Sequence, residues 1–241
     1  MRALLAITRR EMLAFFGTPI PYFVASLFLV VFGFVFAQAF DRSSLLTLEP
    51  VFGWGAILSV FFVPLLTMRL FAEEKATGSI ETLLTAPVTD VAVVLGKFIA
   101  AFAFFVFMVT PTLLFYHLLG YVGRPDPGPM LSQYLGLLLV GGLHVAVGFL
   151  ASTLTRTQVL AAVIAIVGLI ALWFADVAAG ALVDGDRTST LYVAARYASP
   201  GRHIGSFFRG QIDPVDVVYF VSFTAFFLFV GVRSVETRKW L

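Results

Sequence analysis

Long apolar runs separated by short polar stretches constrain the fold of this chain more than any other feature. Each run approaches the ~20 residues that an α-helix needs to cross the hydrocarbon core of a bilayer. Charged residues make up only 12% of the 241 residues and cluster between the runs. We therefore expect an all-α integral membrane protein with six transmembrane helices. The predicted spans are residues 20–40, 51–68, 98–119, 131–154, 159–182 and 215–232.

Composition narrows the class of protein further. Hydrophobic residues make up 60% of the chain, against about 45–50% in soluble domains. We expect one transmembrane domain over residues 1–241 and no soluble catalytic domain. The net charge of +2 comes from basic residues beside the spans, where they act as topology signals, so we expect no nucleic-acid partner. Cysteine is absent, which excludes disulfides and cysteine metal sites.

Residues 1–18 form a basic and apolar leader before the first span. Arg9, Arg10 and Glu11 lie among leucine and phenylalanine residues, a pattern that predicts an amphipathic helix at the membrane interface. Two roles stay open for these three charged residues. They anchor the leader to membrane lipids, or they contact a cytoplasmic partner.

Basic residues predict the orientation of the spans. Six spans place both termini on one side, and most of the 16 lysines and arginines lie on that side. The positive-inside rule then places both termini and residues 69–97 in the cytoplasm. The basic residues on that side are Arg2, Arg9, Arg10, Arg69, Lys75, Lys97, Arg156, Arg233, Arg238 and Lys239.

Residues 69–97, between the second and third spans, form the most polar internal segment. Ser79 is placed to cap a short helix with Glu81 in its first turn, and Pro87 ends it. The apolar face of this helix consists of Ile80, Leu83 and Leu84. Thr89 is a second predicted N-cap, with Asp90 in the first turn of a helix that continues into the third span.

The longest connection, residues 183–214, carries its own helix signals. Ser199-Pro200 and Asp213-Pro214 each read as an N-cap followed by proline at the first helical position. Ile204, Phe207 and Phe208 form an apolar stripe between them. We predict one or two short re-entrant or interfacial helices on the outer side.

The polar segment resembles a known family. The stretch AEEKATGSIETLLTAPVTDVAVVLGK is similar to the cytoplasmic segment of ABC-2 superfamily transporter permeases, and SPGRHIGSFFRGQIDPVDVVYFVSF resembles the gliding-motility GldF-like subgroup. Ile204 and Gln211 depart from the subgroup pattern. The positions that match the superfamily are Glu73, Glu74, Gly78, Glu81, Leu83, Leu84, Pro87, Gly96 and Lys97. Those that match the subgroup include Ser199, Pro200, Ser206, Asp213, Asp216 and Tyr219.

The resemblance implies a permease half in a bacterial inner membrane. Such halves pair with a second copy or a related chain and are driven by separate cytoplasmic ATPase subunits, which bind ATP and Mg²⁺. The sequence agrees on one independent point: Gly96-Lys97 is followed by Phe98 and lacks the upstream glycine of a phosphate-binding loop. We expect no cofactor in this chain. An accessory protein on the outer side stays open.

The resemblance also implies a coupling helix that contacts the ATPase. The alternative is a solvated loop whose apolar face rests on the membrane surface. The turn between the fourth and fifth spans, at Thr155 and Arg156, is a second candidate contact. The predicted coupling residues of the polar segment are Glu73, Glu74, Gly78, Ile80, Glu81, Leu83 and Leu84, with the three glutamates facing arginines of the partner.

Three ionisable residues lie inside or near the spans. Asp176, near the outer end of the fifth span, either belongs to a transport path or reaches interfacial water. His117 and His144 lack the spacing of metal ligands, so we expect no metal site.

Taken together, the sequence predicts the permease subunit of an ABC-type exporter without an active site of its own. Two alternatives stay open. One is an ATP-driven scaffold of an envelope machine, as in gliding or cofactor maturation, that transports no solute. The other is a channel or carrier that works without ATP.

Overall fold

The computed structural model describes residues 2–42, 48–78, 88–121, 126–183 and 188–237. These residues form helices joined by short turns, and five helices are long and apolar enough to cross a membrane, or six when one bent pair counts as a span. This confirms the helical membrane class. The helices are α1 (Arg2–Gly17), α2 (Pro19–Arg42), α3 (Glu49–Thr67), α4 (Arg69–Ala76), α5 (Asp90–Val109), α6 (Leu114–Gly120), α7 (Pro127–Leu154), α8 (Gln158–Trp173), α9 (Ala175–Leu182), α10 (Thr190–Ala198), α11 (Pro200–Phe208) and α12 (Pro214–Glu236).

Helix α7 lies at the centre of the bundle, where small residues let its neighbours approach closely. A Cβ atom at Gly141 would lie 2.0 Å from the ring of Phe105 on α5, and one at Gly148 would lie 2.1 Å from Thr67 on α3. Glycine at these positions therefore permits the close helix contacts by which membrane helices associate.

Contacts at the two ends of α7 define two ends of the bundle. Near its start, the Gln133 side chain donates to the Phe208 carbonyl of α11, over 2.8 Å. Near its end, the Ser152 hydroxyl donates to the Met68 carbonyl between α3 and α4, over 3.2 Å. We call these the α11 end and the α4 end. Which one faces the cytoplasm stays a prediction.

Helix α1 packs lengthwise against α5. A Cβ atom at Gly96 would lie 2.8 Å from Ile7, and the rings of Phe15 and Phe104 stack with centroids 5.4 Å apart. The predicted leader helix is therefore present and joined to the bundle along its length. Its placement relative to a membrane interface stays a prediction.

Four N-caps were predicted, of which Ser79 lies outside the described residues and two of the other three are confirmed. The Thr89 hydroxyl accepts from the Ala92 N–H over 3.3 Å, and the Asp213 carboxylate accepts from the Val215 N–H over 2.9 Å. Ser199 precedes α11 as predicted, but its side chain makes no capping bond. Its hydroxyl donates instead to the Trp173 carbonyl, over 2.9 Å, and so joins α11 to the end of α8.

The fifth predicted span, residues 159–182, consists of two helices that meet at a bend. Helix α8 ends at Trp173, and α9 begins at Ala175 at an angle of 62°. No proline or glycine lies at the bend. Trp173 is fixed there on two sides, because its indole N–H donates to His144 Nε2 over 3.0 Å while its carbonyl accepts from Ser199. The third span also breaks, in a 3₁₀ turn at Thr110–Leu113, where Pro111 has no N–H to donate to a regular helix.

Candidate functional site

The candidate site lies at the α4 end, where the chain leaves α3 for the polar segment. Helix α4 begins immediately after Met68, so its first N–H groups need partners from outside the helix. The Phe71 and Ala72 N–H groups both donate to the Ser152 hydroxyl of α7, over 2.8 Å and 3.1 Å. A serine on a neighbouring helix thus performs the role of an N-cap and fixes the start of α4 against α7.

Lys97 of α5 is the centre of a buried charged cluster beside α4. Its side chain is only 1% exposed. The ammonium group donates to Glu11 Oε1 over 3.0 Å, to Glu74 Oε1 over 2.9 Å and to the Leu70 carbonyl over 2.8 Å. An ammonium group has three hydrogens, and these acceptors match them. The group also lies 5.0 Å from the centre of the Phe71 ring, a cation–π contact.

Two arginines extend this cluster. Arg10 Nη2 lies 2.6 Å from the Oε1 atoms of both Glu11 and Glu74, with its own side chain 56% exposed. Arg69 donates to the Thr18 hydroxyl over 3.0 Å and to the Ala14 carbonyl over 3.1 Å. Helices α1, α4 and α5 are therefore joined by ion pairs and by hydrogen bonds from charged side chains to backbone carbonyls.

The charges of the cluster shift one another's ionisation. Burial alone would raise the pKa of Glu11, but Lys97 and Arg10 outweigh burial and hold that pKa below its ordinary value of 4.5. Burial alone would lower the pKa of Arg10, but its bonds to Glu11 and Glu74 raise it above the ordinary value. Both shifts favour the charged forms of Glu11 and Arg10.

The structure places the predicted coupling residues unequally. Glu73 has a side chain that is 51% exposed, whereas Glu74 points to Lys97 and Arg10 of its own chain. Gly78 has a φ of 73°, in the left-handed region that favours glycine, and so turns the chain out of α4. Ile80, Glu81, Leu83 and Leu84 lie outside the described residues, as does the predicted cap Ser79.

The charged residues of the leader also differ from one another. Arg9 is exposed and remains available for lipid or a partner. Glu11 is buried, with 8% of its surface exposed, and is bonded to Lys97. Sequence reasoning missed this pairing, although Lys97 carried a signal: it is a charged residue inside a continuous apolar helix, and such a residue needs a partner.

The turn at Thr155 and Arg156 lies at the same end of the bundle as α4. The Lys75 ammonium group of α4 donates to the Thr153 carbonyl at the end of α7. Thr155 closes the turn by donating to the Thr157 carbonyl over 2.9 Å, and Arg156 is exposed beside it. The structure therefore brings together the described parts of both candidate contacts.

Asp176 and the histidines lie away from this cluster. Asp176 is in the first turn of α9, where the helix dipole favours a negative charge. His144 is fully buried on α7, with Nδ1 2.8 Å from the Ser59 hydroxyl and Nε2 accepting from Trp173. His117 is exposed. Within the described ranges, no three histidine or acidic side chains lie close enough together to bind a metal ion.

At the α11 end, several residues of the second sequence motif contact one another. His203 Nδ1 lies 2.7 Å from the Asp216 carboxylate, and its Nε2 lies 3.0 Å from the Tyr197 carbonyl. Ser206 donates to the same carboxylate, and the Tyr219 hydroxyl donates to the Ala198 carbonyl over 2.5 Å. These bonds fix α10 and α11 to the start of α12.

Fold and site together define a multi-pass helical membrane protein whose charged residues gather where the leader meets the polar segment. A family model for ABC-2 family transporter proteins matches residues 37–185, more than half of the chain. The chain belongs to this family and is a membrane permease component of an ABC transporter. The match includes the whole polar segment and ends before α10. No curated protein matches the chain.

Proposed function

We propose that this chain is the permease half of an exporter whose ATP and Mg²⁺ are bound by separate cytoplasmic ATPase subunits. Membership of the ABC-2 family supports the permease role, and the absence of a phosphate-binding loop from the sequence supports the separate ATPase. The observation that carries the proposal is the bonding of α4. This helix leads directly into residues 79–87 and is joined to α1, α5 and α7 at once.

In this proposal residues 73–87 are the main contact with the ATPase, except Glu74, whose carboxylate is bonded to Arg10 and Lys97 within the chain. Gly78 turns the chain out of α4, and the apolar face at Leu83 and Leu84 enters a groove of the ATPase. Glu73 supplies an exposed carboxylate near the contact. The turn at Thr155 and Arg156 adds a second contact at the same end of the bundle. Because close-packed interiors transmit displacement, movement of the segment reaches three spans through α4.

The orientation follows from the basic residues. The α4 end carries Arg9, Arg10, Arg69 and Arg156, so by the positive-inside rule it faces the cytoplasm of a bacterial inner membrane. Both termini then lie in the cytoplasm. A second permease half, identical or related, completes the path, with Asp176 near its outer opening. The similarity to GldF-like permeases keeps a force-generating scaffold as the alternative to solute export.

Replacing Leu83 and Leu84 with aspartate tests this contact. We expect the purified ATPase to lose co-purification with the variant, or its hydrolysis to lose the response to the permease, because two carboxylates cannot enter an apolar groove without a desolvation cost. The matched control replaces Leu182 and Leu191, two exposed leucines at the α11 end, with aspartate. If both double variants bind and stimulate the ATPase as the native chain does, residues 83 and 84 are not the contact.

A further inference from the structure

The charges around Lys97 are matched within the described part of the chain, and they come from three helices. Lys97 belongs to α5, Glu11 and Arg10 to α1, and Glu74 to α4. Lys97 and Arg10 face Glu11 and Glu74, so the charges of these four side chains balance. It forms where the chain leaves the bundle for the polar segment. A shift of any one helix would leave a buried charge without its partner.

The members of the cluster differ in how strongly they can fix the positions of the helices. Arg10 is more than half exposed, and ion pairs at such positions contribute little because water competes for both charges. Lys97 is almost fully buried and bonds to both carboxylates and to the Leu70 carbonyl. A buried ion pair is a poor source of stability compared with apolar packing, but it is an effective device for fixing one register between elements.

The bond to the Leu70 carbonyl specifies the position of α4 most closely. Glu74 can reach Lys97 through several side-chain rotamers, whereas a backbone carbonyl is fixed to its helix. Lys97 Nζ, 2.8 Å from that carbonyl and over the Phe71 ring, therefore sets both the rotation and the height of α4 against α5. Glu11 extends the same constraint to α1.

We propose that Lys97 is a positioning residue that fixes the register of α4 on α1 and α5, and thereby the position of Gly78, from which the chain leaves α4 for the polar segment. This inference rests on the proposed function. It assigns to Lys97 and Glu11 a role in coupling without contact with nucleotide or with the ATPase itself. Ser152 fixes the opposite side of α4 independently, through backbone N–H groups.

The test uses a variant that removes all three buried charges. Lys97→Met alone would leave two buried carboxylates with only Arg10 beside them, a strongly destabilising change that would confound the test. The triple variant Glu11→Gln, Glu74→Gln, Lys97→Met leaves only the half-exposed Arg10, which water can solvate. The control variant Arg233→Gln, Glu236→Gln removes an exposed ion pair on α12.

Spin-label distances report the register directly. Because the chain has no cysteine, Ala6→Cys on α1 and Ala76→Cys at the end of α4 can be labelled without background. We expect a narrow distance distribution in the native background and in the control variant, and a broadened or shifted one in the triple variant. The pair Ala76→Cys and Leu154→Cys, across the contact that Ser152 maintains, should be the same in all three. An unchanged distribution for the first pair in the triple variant overturns the proposal.

Measuring ATP hydrolysis distinguishes the positioning role of Lys97 from the proposed function of the whole chain. We expect the triple variant to co-purify with the ATPase while the response of hydrolysis to the permease falls towards that of the ATPase alone. A native response in the triple variant overturns the role of Lys97 in coupling. Failure of the native chain to co-purify with any ATPase overturns the proposed function instead, and the distances measured in the purified chain still decide whether Lys97 sets the register.

Discussion

The ionised state of Glu11 gives the α4 end a defined dependence on pH. The pKa of Glu11 lies below its ordinary value of 4.5 because Lys97 and Arg10 outweigh burial. A carboxylate whose pKa is lower in the folded state stabilises the fold above its unfolded pKa, and this contribution is lost as pH falls through the folded value. We expect the melting temperature in detergent to decrease once the pH is lowered below about 4.5. The part of this decrease that Glu11 causes should be absent from the variant Glu11→Gln. The partly exposed Glu236→Gln serves as control. A pH profile of Glu11→Gln identical to that of the native chain would contradict the assignment.

Ser152 makes three hydrogen bonds at the junction of α3 and α4. Replacing it with alanine removes the acceptor for the buried N–H groups of Phe71 and Ala72. A buried donor left without a partner costs about 1 to 3 kcal/mol, so we expect Ser152→Ala to lower the free energy of unfolding by at least that amount. Denaturant titration of the purified chain measures the change. Ser222→Ala, on an exposed face of α12, should stay within about 0.5 kcal/mol of the native value.

Local sequence signals predicted Thr89 and Asp213 correctly because each caps its own helix, two or three residues away. Ser152 escaped the same reasoning. Its partners Phe71 and Ala72 lie about 80 positions earlier in the chain, and nothing in the residues near Ser152 distinguishes a serine that caps another helix from one that merely tolerates the interior. Ser199 shows the converse: the local signal for a cap was present, but the tertiary contact with Trp173 used the hydroxyl instead.

At the scale of helices, the hydrogen bonds of His144 connect α7 to α3 and to α8. An indole N–H can only donate, so His144 Nε2 accepts from Trp173 and the ring hydrogen lies on Nδ1, which donates to Ser59. His144→Leu leaves the Trp173 N–H without its acceptor and should lower the free energy of unfolding by about 1 to 3 kcal/mol. The exposed His117→Leu is the matched control. Equal stability of both variants would show that these bonds do not hold the bend between α8 and α9.

The contacts of His203 hold the pair α10 and α11 on the start of α12. His203→Phe keeps an aromatic ring stacked on Tyr219, where the centroids are 3.9 Å apart, but loses the bonds to Asp216 and the Tyr197 carbonyl. We expect faster amide hydrogen exchange in residues 190–208, with exchange in α7 unchanged, because opening is local. The exposed Arg202→Phe on the same helix is the control. Native protection in His203→Phe would mean that stacking alone is sufficient.

The presence of most helices could be predicted from the sequence, whereas a break in a helix could be predicted only where a proline marks it. Pro111 signalled the 3₁₀ turn in the third span. The bend after Trp173 carries no such signal, since it depends on His144 and Ser199, which lie far from Trp173 in the chain. An apolar run of sufficient length therefore predicts a crossing but not its straightness.

For the molecule as a whole, the spacing of apolar runs determined the class of protein, and the polar segment indicated the family that the family model identified. The arrangement of charges did not follow from the sequence. Lys97 and Glu11 are separated by 86 positions, and only the assembled bundle places α1 beside α4. Residues of the polar segment itself, from 79 to 87, lie outside the described part, so the coupling contact remains a prediction from the sequence.

The contacts between helix ends imply six traverses of the bundle, with the bent pair α8 and α9 counting as one. Helix α8 starts just after α7 ends, at the α4 end, whereas α12 starts beside α11. Near its close α12 returns to the α4 end, where Ser234 bonds to Thr153 over 3.1 Å. Since Glu11 on α1 also lies at the α4 end, α1 and the close of α12 meet at one end of the bundle; that both termini share one side of the membrane stays a prediction.

Single cysteines in this cysteine-free chain test that arrangement and its orientation together. In intact bacterial cells a membrane-impermeant maleimide should not label Ala6→Cys, Arg156→Cys or Glu236→Cys, since the positive-inside rule places all three in the cytoplasm. It should label Tyr121→Cys, at the opposite end of the bundle and 88% exposed. Permeabilised cells provide the control, because every site should then react. Labelling of Glu236→Cys without Ala6→Cys would mean an odd number of crossings. If every site except Tyr121→Cys were labelled, the orientation would be the opposite of the proposed one. In that case α4 could make no contact in the cytoplasm.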